Sequence, residues 1–205
     1  MSAPLRFPSA DVFIETGYGT GETLEDVVQG RYEQIHSIEI SSEVVAEAPK
    51  NFAAYPQVTI HFGSSPGILP SLCDPDRETV FWLDAHYSGG AYAHDTNPTL
   101  DLEYGQCPLL AELAVVRAIP WRVPPLIFID DLPLFEAERY RGRYALCDRT
   151  QFPHIDDIRR AIPSEYTLLR RRQWHPLRAI SNLKHIGRLR YYSCRPAARR
   201  WRAEN

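Results

Sequence analysis

Five carboxylates, Glu15, Glu39, Asp84, Asp130 and Asp131, stand at the ends of short apolar or β-branched runs: VFIETG, QIHSIEI, TVFWLDA and PLIFIDD. An ionised carboxylate only accepts hydrogen bonds, so it holds hydroxyls, amines and cations. Gathered on one rim, such groups repel one another unless something cationic or hydrogen-bond-donating sits among them. A glycine turn adjoins the first of them: in ETGYGTGET, residues 15–23, Gly17, Gly19 and Gly21 alternate with Tyr18 and Thr20. Alternating glycines let the backbone approach a ligand closely.

The charges narrow the ligand. A dinucleotide fingerprint wants a further glycine at position 22, which is Glu22. The pyrophosphate of a nicotinamide cofactor would lie on this turn and be repelled by Glu15 and Glu22. A cofactor with an amino group, a sulfonium and an uncharged ribose suits the site better. Glu39, 22 residues beyond Gly17, can accept both ribose hydroxyls. These are the features of S-adenosylmethionine.

The elements that must position these residues are legible in the periodicity. Strand-like runs occur at 12–17, 34–40, 57–63, 79–85 and 125–131, with two later ones at 166–172 and 185–193. Helix-length amphipathic stretches at 21–29, 42–54, 66–72, 107–118 and 155–162 separate most of them. Ser41 and Pro66 are good helix openings. The leucines and valines of CPLLAELAVVRAI recur at helical spacing and read as core. Alternating strands and helices predict a doubly wound α/β fold. Its seven-stranded, mainly parallel sheet carries helices on both faces, with the last strand antiparallel at one edge. In such sheets ligands sit beyond the carboxyl ends of the strands, where the five acids fall.

Taken together, these segments resemble the class I S-adenosylmethionine-dependent methyltransferases. ETGYGTGET is similar to that family's first motif and HSIEIS to the acidic end of its second strand. VTIHFGSSPGILPSL resembles the segment whose loop brackets adenine. FWLDAHYSGG and LIFIDDL resemble the fourth and fifth strands of the cation-dependent, catechol-type O-methyltransferases. The resemblance covers roughly residues 10–135. It implies that Glu15, Gly17, Gly19 and Thr23 line the methionine end of the cofactor. It also implies that Glu39 holds the ribose, that Ile40, Ser64 and Ser65 lie near adenine, and that Asp84 borders the cofactor. Asp84, Asp130 and Asp131 fall where the catechol type coordinates Mg²⁺ or another divalent cation, which would orient an acceptor hydroxyl and lower its pKa. The chain departs from that type in having Asp131 in place of an asparagine and Tyr87 in place of a lysine base. His86, two residues after Asp84, is then the nearest group suited to be the general base.

Composition bounds the rest. A chain of 205 residues fits one domain, and 44% hydrophobic content is ordinary for a globular protein. No apolar run reaches the roughly 20 residues that cross a bilayer, and MSAPLRFPSA lacks a secretory core, so the expected location is the cytoplasm. Cys73, Cys107, Cys147 and Cys194 have no CxxC spacing and read as reduced thiols. Residues 1–168 hold 25 acidic against 12 basic side chains, and residues 169–205 hold one against 11. The arginines of that basic C-terminal stretch interleave with apolar residues, as on the wet face of terminal strands, which disfavours nucleic acid as a partner. The expected partner is a small-molecule substrate, with no membrane, and a homo-oligomer is allowed. The irregular stretch 87–106 is the expected lid or substrate loop. The expected activity is methyl transfer to a small-molecule or sugar hydroxyl. Two alternatives stay open: a nicotinamide oxidoreductase, and a non-catalytic cofactor-binding protein that docks through its basic tail.

Overall fold

Period-two apolar runs alternate with helix-period stretches over the first 130 residues, and the chain folds accordingly. A computed structural model describes residues 7–87, 103–131, 133–136, 147–174 and 188–196. The strands are β1 (Val12–Thr16), β2 (Gln34–Glu39), β3 (Val58–Phe62), β4 (Thr79–Leu83), β5 (Leu126–Ile129), β6 (Tyr166–Trp174) and β7 (Arg188–Pro196). The helices are α1 (Glu22–Val27), α2 (Ser42–Asn51), α3 (Ser65–Leu72), α4 (Leu109–Ala118), α5 (Pro133–Glu136) and α6 (Ile155–Ala161). Ser41 caps α2 by accepting from the Val44 N–H, as its residue type predicts. Among the described residues, no helix is long and apolar enough to cross a membrane.

All seven strands form one sheet in the order β3-β2-β1-β4-β5-β7-β6. β1 to β5 pair in parallel, and β7 runs antiparallel to both β5 and β6. The last strand is therefore reversed, as expected, and it is inserted one place in from the edge. Side chains alternate across the strands and build a core on each face. Val12 and Ile14 of β1 join Leu69 of α3, Leu113 and Val116 of α4 and Ile158 of α6. Phe13 faces the other way, with Leu24 and Val27 of α1 and Ala48 of α2. On that second face Phe7 sits edge-on to Phe13, Trp82 and Phe128, at centroid distances of 5.0, 5.1 and 5.3 Å.

The order reverses at β1 and β4, whose next strands run to opposite edges. The crevice between their carboxyl ends is where a doubly wound sheet receives its ligand. The expected lid, 87–106, lies mostly outside the described residues. Its two ends are tied together, because the Tyr87 N–H donates to the Gln106 carbonyl at 2.8 Å.

Candidate functional site

The glycine turn follows β1 at the crevice, and its three glycines answer to different neighbours. Gly17, Gly19 and Gly21 have φ of +80°, +56° and +81°, the left-handed region that side chains with a Cβ disfavour. A Cβ on Gly17 would stand 2.7 Å from the Asp84 carbonyl oxygen, so this glycine lets the turn close against the end of β4. A Cβ on Gly21 would meet the Tyr18 hydroxyl at 2.5 Å. Tyr18 is buried beneath the turn, where its hydroxyl accepts from the Asn51 side chain at 3.2 Å. A Cβ on Gly19 would meet nothing within 4 Å. Gly19 is thus the glycine that borders open space.

Glu39 leaves β2 with its carboxylate turned back over this turn. Its Oε2 accepts from the Gly19 N–H at 3.2 Å and its Oε1 from the Ser41 N–H at 2.8 Å. Each carboxylate oxygen keeps a further lone pair for a ligand hydroxyl. Glu15 is buried on the same side of β1 and accepts from the Ser37 hydroxyl at 2.5 Å, while Thr23 also hydrogen-bonds it. Burial, reinforced by the charges of Asp84 and Glu39, pushes the Glu15 carboxyl well above the ordinary range despite those hydrogen bonds. A positive charge placed nearby would restore the ionised form. Ile40, one residue beyond Glu39, is half-buried.

A second group stands at the ends of β4 and β5. The His86 Nε2 lies 3.1 Å from Asp84 Oδ1 and 3.2 Å from Asp131 Oδ2, and its Nδ1 lies 3.2 Å from the Tyr87 carbonyl oxygen. All three neighbours are acceptors, so the ring meets them fully only when both nitrogens carry hydrogen. Burial opposes that cation, yet the Asp131 and Asp84 carboxylates win and hold the imidazole pKa well above its usual value. Asp131 itself has a left-handed φ of +49°, a conformation that aspartate tolerates better than most residues. The Asp84 N–H is held by both the backbone and the side-chain oxygen of Thr16, at 3.1 and 3.2 Å.

Asp84, His86 and Asp131 offer ligand atoms that all lie within 4.8 Å of one another. Asp130, expected as the middle member of a three-carboxylate set, is not part of this group. It is buried after β5, with its N–H donating to the Leu83 carbonyl at 3.1 Å. An imidazole and two carboxylates suit a divalent cation, and they accommodate a nitrogen-preferring ion better than three carboxylates would.

Ser64 and Ser65 open α3 on the far side of Glu39. The Gly63 N–H donates to the Glu39 carbonyl at 2.9 Å, which brings this segment beside β2. Ser65 is buried, and its hydroxyl donates at 2.5 Å to Oε1 of Glu112 on α4. Glu112 is 1% exposed and also hydrogen-bonds the Thr16 side chain. Burial raises its carboxyl to about 7, against the opposing pull of Ser65, Thr16 and the His86 charge. The apolar periodicity of α4 reads as plain core and hides this residue. Its signal was a lone acid in an otherwise apolar helix, LLAELAVV.

No protein-family model matches the chain, and no curated protein does. Solved structures match it along nearly its whole length. The O-methyltransferase TomG from Streptomyces achromogenes, involved in tomaymycin synthesis and solved with S-adenosylmethionine, is 14% identical with a TM-score of 0.54. That match covers 92% of this chain and 74% of TomG. The N-methyltransferase NodS from Bradyrhizobium japonicum is 9% identical, with a TM-score of 0.54, over 92% of this chain and 87% of NodS. Spermidine synthase from Thermotoga maritima is 14% identical, with a TM-score of 0.51, over 91% of this chain and 53% of the enzyme. The fold is therefore that of the class I S-adenosylmethionine-dependent methyltransferases, in agreement with the sequence motifs. At these identities the likeness speaks for the fold alone, and what the chain does must be argued from its site.

Proposed function

We propose that the protein binds S-adenosylmethionine and transfers its methyl group to a hydroxyl oxygen of a small molecule, assisted by a divalent cation. The observation that carries this reading is the arrangement of two groups on one crevice. Glu39 and the open Gly19 turn lie on one side, and Asp84, His86 and Asp131 lie on the other. Glu39 would accept the ribose hydroxyls while staying anchored through Gly19 and Ser41. Glu15 and Thr23 would stand at the methionine end, where a positive charge favours the ionised carboxylate.

Asp84 and Asp131 would hold the cation through their carboxylate oxygens, and His86 Nε2, facing both aspartates at 3.1 and 3.2 Å, would be kept off the cation as the proton acceptor. A divalent cation bound there supplies positive charge that lowers the pKa of an acceptor hydroxyl. His86 would accept the acceptor's proton once it has released the one it shares with the two aspartates. Its Nδ1 stays directed at the Tyr87 carbonyl, which fixes the ring. The residues thus orient the hydroxyl for attack on the methyl carbon and leave it a place to lose its proton.

Formation of S-adenosylhomocysteine, followed with a panel of catechol, sugar and amine acceptors, tests the proposal. The expected product requires a hydroxyl acceptor and a divalent cation, and Asp84→Asn abolishes it without unfolding the protein. Full turnover in a chelator would remove the cation from the reaction, and transfer to amines alone would overturn the choice of oxygen.

A further inference from the structure

β7 pairs with β5 only from Tyr192 to Cys194, and Tyr192 stands opposite Ile129, the last residue of β5. Because β7 runs antiparallel, residues 188–191 continue past that point on the carboxyl side of the sheet, for about 13 Å of extended chain. β6 goes with them, since its pairing with β7 holds as far as Trp174↔Arg188. A two-stranded ribbon thus stands beyond the rim, beside the end of β5 that leads to Asp131. Cross-strand partners share one face of a ribbon, and so do residues two apart. The register therefore puts Arg170, Arg172 and Trp174 of β6 on one face with Arg188, Arg190 and Tyr192 of β7. Over the same stretch the opposite face holds Arg171 and no other charged residue. Arginines that interleave with other residues in the sequence are sorted by period two onto one side. Arg172 stands directly opposite Arg190, and like charges so placed cost stability unless an anion lies between them. Neither strand carries an aspartate or glutamate to supply it.

We propose that this face of the β6–β7 ribbon binds the phosphate of a phosphorylated small-molecule acceptor, whose hydroxyl lies at Asp84, His86 and Asp131. The inference rests on the methyl-transfer reading above and adds the charge of the substrate to it. A guanidinium meets a phosphate through two parallel N–H···O bonds, and several of them offset the desolvation of a dianion. The position of the ribbon assigns it to the acceptor. Glu15 of β1 and Glu39 of β2 lie on the far side of β4, whereas the ribbon lies on the β5 side. Three cross-strand rows over about 13 Å give room for a small phosphorylated molecule, while a nucleic-acid strand is held over about four nucleotides or more.

Calorimetry with inorganic tripolyphosphate in metal-free buffer tests the face, and S-adenosylhomocysteine titrated into the same preparations tests the cofactor reading separately. Wild-type and Arg171→Gln protein should bind tripolyphosphate alike. The double variant Arg172→Gln, Arg190→Gln should bind it at least tenfold more weakly, with S-adenosylhomocysteine affinity equal in all three. Turnover of a panel of sugars and their phosphomonoesters should follow, with kcat/KM at least tenfold higher for phosphorylated members in wild-type protein and not in the double variant. Equal tripolyphosphate affinity in the three proteins overturns the inference and leaves the cofactor reading intact. So does a panel whose phosphorylated members are no better than their parents, inactive ones included. Tighter binding of a single-stranded RNA oligonucleotide, lost in the double variant, would assign the face to nucleic acid and overturn the inference as well. No S-adenosylhomocysteine binding by wild-type protein overturns the cofactor reading and the acceptor role of the ribbon with it. If thermal unfolding shows that the double variant does not fold, Arg190→Gln alone takes its place.

Discussion

Gly17 and Gly19 share a left-handed backbone, yet their substitutions should fail for different reasons. Alanine at Gly17 adds a Cβ 2.7 Å from the Asp84 carbonyl oxygen, so the turn must separate from β4. We expect a loss of about 2–4 kcal/mol in stability, read by denaturant unfolding. Alanine at Gly19 enters open space and carries only the strain of its φ, about 1 kcal/mol. Its unfolding should change little, whereas its affinity for S-adenosylhomocysteine should drop if a ligand fills that space. Glu39→Ala removes a charged acceptor whose hydrogen bonds are each worth about 1.5–3 kcal/mol. Tenfold weaker binding or more is the expected result, and unchanged affinity would remove Glu39 from the ribose. At this scale the sequence marked Glu15, Glu39, Asp84 and His86 through their places at strand ends. It could not disclose that both His86 nitrogens face acceptors, because that depends on how β4 and β5 lie against each other.

At the scale of elements, Phe7 does the work of a covering helix on one face of the sheet. It is buried against three aromatic rings from β1, β4 and β5. Phe7→Ala should cost about 3 kcal/mol, measured by chemical denaturation, with most of the effect in the unfolding of the whole sheet. A cost below 0.5 kcal/mol would show that this segment merely lies on the surface. The first five strands were readable within one or two residues because each is an apolar run bounded by turn residues. For the expected strand 185–193, positions 185–187 lie outside the described residues; β7 covers Arg188–Pro196 and so runs past the expected end. Its described length pairs with β6, from Tyr166↔Pro196 to Trp174↔Arg188, and such nonlocal register leaves little trace in local pattern. Glu112 illustrates the same limit in a helix. Its acid is visible, but its partners Ser65 and Thr16 come from two other elements.

For the whole molecule, the buried groups predict how stability follows pH. Glu112 moves from 4.5 to about 7 on folding, so the folded state keeps a proton that the unfolded chain releases. Stability attributable to it is lost as pH rises from 4.5 to about 7. His86, raised well above 6.5 by its two aspartates, loses its contribution as pH rises further through that raised value. His36 works in the opposite sense. Burial lowers it to about 4, so the neutral ring favours the fold increasingly as pH rises from about 4 to 6.5. Comparing wild-type and Glu112→Gln unfolding between pH 5 and 8 isolates the first effect. The wild-type protein should lose up to about 3 kcal/mol relative to the variant over that range. Parallel curves would place Glu112 in a wetter setting than its burial implies.

The claim on which the rest depends is that the crevice takes S-adenosylmethionine, and its product analogue tests that most directly. Purified protein would be titrated with S-adenosylhomocysteine by calorimetry, once with a divalent cation and once with a chelator. Micromolar binding, about −8 kcal/mol, is the predicted result in at least the cation-containing buffer. No heat and no thermal stabilisation in either buffer would contradict the account.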